Sequence, residues 1–235
     1  MAPLTGGHHF ILHETPVVAL PDAALFLPRS ATLIVSDLHL EKGSAFAARG
    51  MMLPPFDTAE TLSRLAVLID QLKPATLIAL GDSFHDLGAD LRLSLADRER
   101  LEELVSRVQM IWIEGNHDPA PPDWIAGLRV QEWGHDGLYF RHEPSGEVAG
   151  EVAGHLHPCA RVNGRRGGSV RRRCFVTDGR SLIMPAFGAF TGGLNLFDPA
   201  FSGLFQGPIH ALMASGEGPR AKVHAIHTSK LTPSI

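Results

Sequence analysis

The sequence has only two cysteines, one tyrosine and no apolar run of membrane length among its 235 residues. Two cysteines, Cys159 and Cys174, cannot form a disulfide framework, so reduced thiols in a cytoplasmic protein are expected. The longest apolar runs, "TLIAL" and "MIWI", have strand length and fall far short of the ~20 residues a membrane helix needs. The N-terminal "MAPLTGGHHFILHETP" has no basic segment leading into an apolar one, so no secretory leader is expected. Excess positive charge is also missing. The formal charge is −4, which excludes a protein that coats nucleic acid through bulk charge. Nor is there a pattern for a helix-turn-helix or a zinc finger. One local absence runs the other way: from Gly154 to Phe175 there is no acidic residue, while six arginines fall between Arg161 and Arg173.

What is present is ordinary globular material. Hydrophobic residues make up 44% and charged residues 20%, enough for one domain over 1–235 with a sizeable core. The stretch of about 207–235 is punctuated by Gly, Pro and Ser and reads as a peripheral C-terminal segment.

Four short apolar runs end abruptly in polar residues or glycine: "ATLIVSD" (31–37), "ATLIALGD" (75–82), "VQMIWIEGN" (108–116) and "GLYFRHE" (137–143). Such runs fit strands buried on both faces. Between the first three lie helical periods. In 56–74, Leu62, Leu65, Leu68, Ile69 and Leu72 share a face, with Asp57 or Thr58 as a cap and Pro74 as a stop. In 95–109, Leu101, Leu104, Val105 and Val108 form a second stripe. The alternation predicts an α/β fold with its chemistry at the carboxyl ends of the strands. After residue 125, "LYFRH", "CFVTDG", "SLIMPAFGAF" and "LNLFD" predict a second group of strands packed on the first. Of the aromatics that could stack on bases, Trp112 lies inside a strand run and reads as core, while Trp124, Trp133 and Tyr139 are open to that role.

Every recognisable strand end delivers oxygen or imidazole ligands. The first gives Asp37 and His39, the second Asp82, His85 and Asp86, and the third Asn116, His117 and Asp118. The fourth contains His142, and "GHLH" adds His155 and His157. Each motif alone is ordinary turn chemistry. Four turns that all carry ligands in one order are not. Carboxylate, carboxamide and imidazole without thiolate suit Mn²⁺, Fe or Zn²⁺.

The order D-x-H, G-D, G-N-H-[DE], a lone His, then G-H-x-H resembles the calcineurin-like metallophosphoesterases. That resemblance implies an α/β fold, a four-layer α-β-β-α sandwich of two mixed β-sheets flanked by helices. It also implies two divalent metal ions: Asp37, His39 and His157 would hold one, and Asn116, His142 and His155 the other, with Asp82 bridging. His117 would sit beside the pair as the catalytic histidine, protonating the leaving group or bonding the phosphate. His135 is an alternative lone histidine, and His142 is preferred because it lies in a strand-like run. Asp86 and Asp118 are candidates for orienting a histidine or for capping a turn.

Within that superfamily, "SDLHLEKGSAFAARGMMLPPFD", "GDSFHD", "RHEP…GHLHP" and "PAFGAFTGG" resemble the bacterial ligase-associated DNA damage response endonucleases. The chain departs from their usual D-L-H-x-G-K in having Glu41 before Lys42. The resemblance implies a Mn²⁺-dependent phosphodiesterase or endonuclease on single-stranded DNA, working in repair near a DNA ligase and a helicase. His85 would then join the active-site histidines. A phosphodiester substrate also gives the arginines a use, since guanidinium forks match phosphate. Arg161, Arg165, Arg166, Arg171, Arg172 and Arg173 are therefore candidate substrate-binding residues on a hairpin at the mouth of the site. Two rival expectations are a small nucleotide or pyrophosphate-linked substrate at the same centre, and a non-catalytic binding protein on the same fold. Retention of the ligand set speaks against the second.

Overall fold

All four apolar runs form strands in the computed structural model, which describes residues 6–51, 56–117, 121–164 and 167–233. Strands β1 (His8–Leu12), β2 (Thr15–Ala19), β3 (Leu25–Leu27) and β4 (Thr32–Val35) make an antiparallel meander. Helices α1 (Lys42–Ala48) and α2 (Asp57–Leu72) then lead to β5 (Thr76–Leu80). Helices α3 (Ala89–Arg92) and α4 (Leu95–Ser106) lead to β6 (Gln109–Ile113), and β7 (Leu128–Val130) closes the sheet. The seven strands lie in chain order, with β4 to β7 parallel.

The second sheet holds β8 (Glu132–His135), β9 (Leu138–Arg141), β10 (Glu151–Ala153), β11 (Cys159–Asn163), β12 (Ser169–Thr177), β13 (Leu182–Ile183), β14 (His210–Ser215) and β15 (Lys222–His227). Its order is β15-β14-β12-β13-β10-β9-β8, with β9, β10 and β13 parallel and β11 paired to β12 as a hairpin. The fourth run, as β9, thus lies opposite the other three rather than beside them.

Alternation along each strand explains the unbroken apolar runs. Leu33 and Val35 of β4 face α2 and α4, while Ile34 faces the second sheet. β5 repeats this with Leu77 and Ala79 against Ile78 and Leu80. The helices answer with the stripes read from sequence, Leu62, Leu65, Leu68 and Ile69 from α2 and Leu101, Leu104 and Val105 from α4. Each such side chain, fully buried, contributes about 1.5–3 kcal/mol. Between the sheets, Ile111 and Ile113 meet Phe140, Val152, Leu182 and Met184. The outer face of the second sheet is covered by Leu196, Phe201 and Leu231 from loops and short 3₁₀ turns. No helix among the described residues is long and apolar enough to cross a membrane.

Three expectations need correction. The segment after Gly207 is not peripheral: β14 inserts between β12 and β15 and buries Ala211, Leu212 and Met213. Its glycines and prolines mark the turns around two strands. "SLIMPAFGAF" pairs only at Leu182–Ile183, and "LNLFD" supplies a single bridge, Asn195 to Cys159. Asp57 and Thr58 do not cap α2. Their side chains accept the backbone N–H groups of Gly43 and Glu41, tying α2 to the start of α1 and the residue before it.

Candidate metal centre

The ligand candidates leave the carboxyl ends of five strands: Asp37 and His39 after β4, Asp82 after β5, Asn116 after β6, His142 after β9, and His155 and His157 after β10. Parallel pairing in both sheets brings these ends to one end of the sandwich. Five of the seven residues have left-handed backbone: Asp37 (φ 53°), His39 (44°), Asp82 (47°), His155 (65°) and His157 (46°). That conformation costs a non-glycine residue about 1–3 kcal/mol and persists only where its surroundings enforce it. Here the loops enforce one another. His39 N–H donates to Asp82 O and Leu40 N–H to Ser83 O, while Gly188 N–H donates to Asp37 O.

Two groups of side chains converge. In the first, His157 Nε2 lies 3.0 Å from Asp37 Oδ1 and 3.4 Å from His39 Nε2. In the second, His142 Nε2 lies 2.9 Å from Asn116 Oδ1 and 3.1 Å from His155 Nδ1. Asp82 Oδ2 stands between them, 3.9 Å from His39 Nε2 and 3.5 Å from His142 Nε2. Its other oxygen accepts the His117 N–H at 2.9 Å. Asp37, His39 and His157 form one set able to hold a metal ion, and Asp82, His142 and His155 a second.

These donor sets fit cations. Asp37 is fully buried, its Oδ2 taking Ser36 Oγ–H and the His155 N–H, while its Oδ1 faces the His157 imidazole. His142 Nδ1 lies 2.9 Å from Leu80 O, to which it donates, so Nε2 is the nitrogen turned to a ring of oxygens and imidazole nitrogen and would be the one to bind a metal. Acceptors turned on one another repel unless a positive charge lies among them. The titrations carry the same message. Burial opposes charge on His142, but Asp82 and Asp37 outweigh it and drive that imidazole up to about 9. Burial would raise Asp82, yet the hydrogen bond and charge of His142 and the His117 N–H hold it at about 2. Burial also dominates at His39, pushing it down to about 3, so it stands neutral with a free lone pair. Asp82 is thus ionised and His39 neutral, the forms a metal requires, while the proton on His142 answers the same negative charge and must leave when a metal binds.

His85 and His117 flank the first set. Their rings stack at 5.7 Å and 15°, and each lies within 5.7 Å of the His39 ring. His135 is elsewhere: its Nε2 meets Thr32 Oγ1 at 3.0 Å, at the opposite end of β4. Asp86 accepts from Arg92 and the Gly88 N–H, so it braces a turn, and its charge favours protonation of the nearby His85. Asp118, Arg165 and Arg166 lie outside the described residues.

The arginines divide. Arg173 is not free for substrate: it donates to the carbonyls of Ala186, Ala189 and Thr191, each at 3.0 Å. Arg64, which no sequence pattern marked, donates to Phe187 O and Asp22 O and stacks 4.4 Å over the Phe187 ring. Together they clamp the 185–191 loop, whose Phe187 and Gly188 N–H groups hold Ser36 O and Asp37 O. Arg161 donates to Ser169 Oγ across the β11–β12 hairpin, and Arg171 and Arg172 are exposed on it.

The model of the calcineurin-like phosphoesterase family matches residues 31–182, nearly two thirds of the chain. The chain belongs to that family. A calcineurin-like phosphoesterase with this metal-ligand constellation is a metal-dependent phosphoesterase. Among solved structures it is similar to the nuclease MPE of Pseudomonas putida, at 29% identity and a TM-score of 0.66 over 87% of this chain and 96% of that one. It also matches Yfce, a phosphoesterase from E. coli, at 18% identity and a TM-score of 0.36, covering 77% and 87% of the two chains. No curated protein sequence matches.

Proposed function

We propose that this phosphoesterase is a Mn²⁺-dependent phosphodiesterase that cuts single-stranded DNA, in the cytoplasm and in repair alongside a DNA ligase and a helicase. The observation that carries the reading is the pairing of two donor sets across Asp82 with His117 and His85 beside them. Similarity to a nuclease over nearly all of that nuclease's length supports it. Asp37, His39 and His157 would hold one ion and Asn116, His142 and His155 the other. When bound, two divalent ions neutralise phosphate charge and supply an acidified water.

The chain's own groups do the rest. Asp82 Oδ1 fixes the His117 backbone, which sets that imidazole beside the pair. His117 is exposed, so it can meet a phosphodiester and give a proton to the departing oxygen. His85, pushed down by burial, Lys42 and His117, stands neutral at neutral pH and can accept a hydrogen bond or relay a proton. Burial would raise Asp37, yet the hydrogen bond and charge of His157, the charge of His142 and the Ser36 hydroxyl hold it below the usual carboxylate range.

The test is a Mn²⁺ assay of single-stranded DNA, duplex DNA, RNA, bis-p-nitrophenyl phosphate and p-nitrophenyl phosphate. The reading expects hydrolysis of both the single strand and the small diester, with both lost in Asp82→Ala. Activity confined to the monoester, or diester hydrolysis that survives Asp82→Ala, contradicts it.

A further inference from the structure

On the flank of the molecule, a cavity of about 360 Å³ opens between the Leu20–Ala23 turn, the β11–β12 hairpin and the loop that clamps Asp37. Arg64, Arg171, Arg172 and Arg173 line it, with Asp22 as the sole carboxylate in its wall among the described residues. Among the described residues, none of the four guanidinium groups forms an ion pair with a carboxylate, whereas Arg92, Arg98, Arg107 and Arg141 each do. Asp22 and Glu60 lie near enough to act on the Arg64 charge, so in a chain of net charge −4 the excess positive charge at this cavity rests on Arg171, Arg172 and Arg173.

The four arginines have different capacities. Arg64 and Arg173 spend their donors on backbone carbonyls and contribute charge from half-buried positions. Arg171 gives one N–H to Gly193 O and Arg172 one to Arg171 O. A guanidinium has five N–H donors, so both keep most of their fork for a ligand. Leu20, Pro21, Phe175, Leu212 and Ala214 give the wall an apolar side, with Thr191 and Cys159 beside it. Cationic forks at the rim over an apolar floor match an anion that carries an apolar or aromatic body.

We propose that this cavity binds a nucleoside phosphate, its phosphate on the Arg171 fork with the Arg172 charge beside it at the rim, and its sugar and base against the apolar side of the wall. It is a second site, walled from the metal centre by the 185–191 loop. That loop touches Ser36 and Asp37 on one side and gives Pro185 and Thr191 to the cavity on the other. A strand crossing the loop would place one phosphate at the metals and another here. The strand as source rests on reading the chain as a nuclease; a free mononucleotide does not.

The experiment uses the full chain stripped of metal by chelator, so that the metal centre contributes no affinity. Binding of a short fluorescein-labelled oligothymidylate is followed by anisotropy across a salt series, with thymidine monophosphate and uncharged thymidine as competitors. Arg171→Ala/Arg172→Ala is expected to weaken the strand about tenfold or more and to flatten its log–log salt slope by about 1.4, the value for two lost phosphate contacts. Thymidine monophosphate should compete with the strand and thymidine should not. Ala214→Phe fills the floor without touching charge, and should weaken nucleotide binding while leaving the salt slope unchanged. An unaltered unfolding midpoint in urea confirms that both variants fold. If only the strand responds to both variants, the strand is the ligand. If the wild type fails to cut DNA yet binds thymidine monophosphate through the two arginines, the nuclease reading falls and the cavity site stands. The inference is overturned if the wild type binds neither ligand, if the double variant binds both as the wild type does, or if Ala214→Phe changes neither.

Discussion

Replacing Arg173 by Met tests whether this arginine serves structure or substrate. In the folded chain three carbonyls, of Ala186, Ala189 and Thr191, receive its N–H groups at 3.0 Å. A buried acceptor that loses its partner costs about 1–3 kcal/mol. Methionine keeps the apolar stem, and water can reach part of this loop, so the lower end applies to each bond and the total is about 3 kcal/mol. The same loop holds Ser36 O and Asp37 O through Phe187 and Gly188, so its loosening reaches a metal ligand. Urea unfolding with chelator present should show that loss of stability, and a Mn²⁺ titration should show weaker binding. Arg172→Met, on the exposed face of the same strand, should stay within about 0.5 kcal/mol of the wild type in stability. The reasoning is refuted if Arg173→Met unfolds with Arg172→Met, binds metal normally and loses only DNA cleavage. The guanidinium would then meet substrate, as its place in the cluster suggested.

Gly81→Ala would build a Cβ 2.4 Å from His142 Nδ1 at a φ of +70°, so a His142 shift and at least about a tenfold loss of metal affinity are expected by calorimetry. Metal binding must displace the proton that His142 holds up to about 9. Affinity should therefore rise by up to about tenfold per pH unit from 7 towards 9 and level off above. In the metal-free chain the sign reverses: stability from protonated His142 is full below its ordinary value near 6.5 and is lost as pH rises through about 9. His117→Gln should slow cleavage of a DNA diester by about 10²–10⁴-fold, since an alkoxide needs the proton. It should slow bis-p-nitrophenyl phosphate less, because nitrophenolate leaves without one; equal loss would remove His117 as the proton donor.

Much of the site was legible because its signals are local. Asp37, His39, Asp82, Asn116 and His142 come at the ends of apolar runs that stop abruptly in polar residues, whereas "GHLH" stood out by its own spacing, since the strand before it is only "EVA". The α2 and α4 stripes were equally clear, since helical period depends only on near neighbours. What stayed hidden depends on residues far apart in sequence. The left-handed backbone at five ligands is enforced by loops from different strands, and nothing within "SDLH" or "GHLH" marks it. Arg64 lies 123 positions from the Phe187 carbonyl it holds, and Arg173 stood in a run of like residues that concealed its different task. The β14–β15 end of the second sheet was missed because "HALMAS" and "KVHAIH" are short runs broken by histidine, and the pairing of β14 with β12 and β15 supplies the burial that composition lacks.

The most direct test of the account is the number of divalent ions bound per chain. Purified protein equilibrated with Mn²⁺ and freed of excess should carry two ions, and Asp82→Ala, which removes the oxygen standing between the two sets, should not retain the pair. One ion or none in the wild type, or two in Asp82→Ala, would contradict the paired centre.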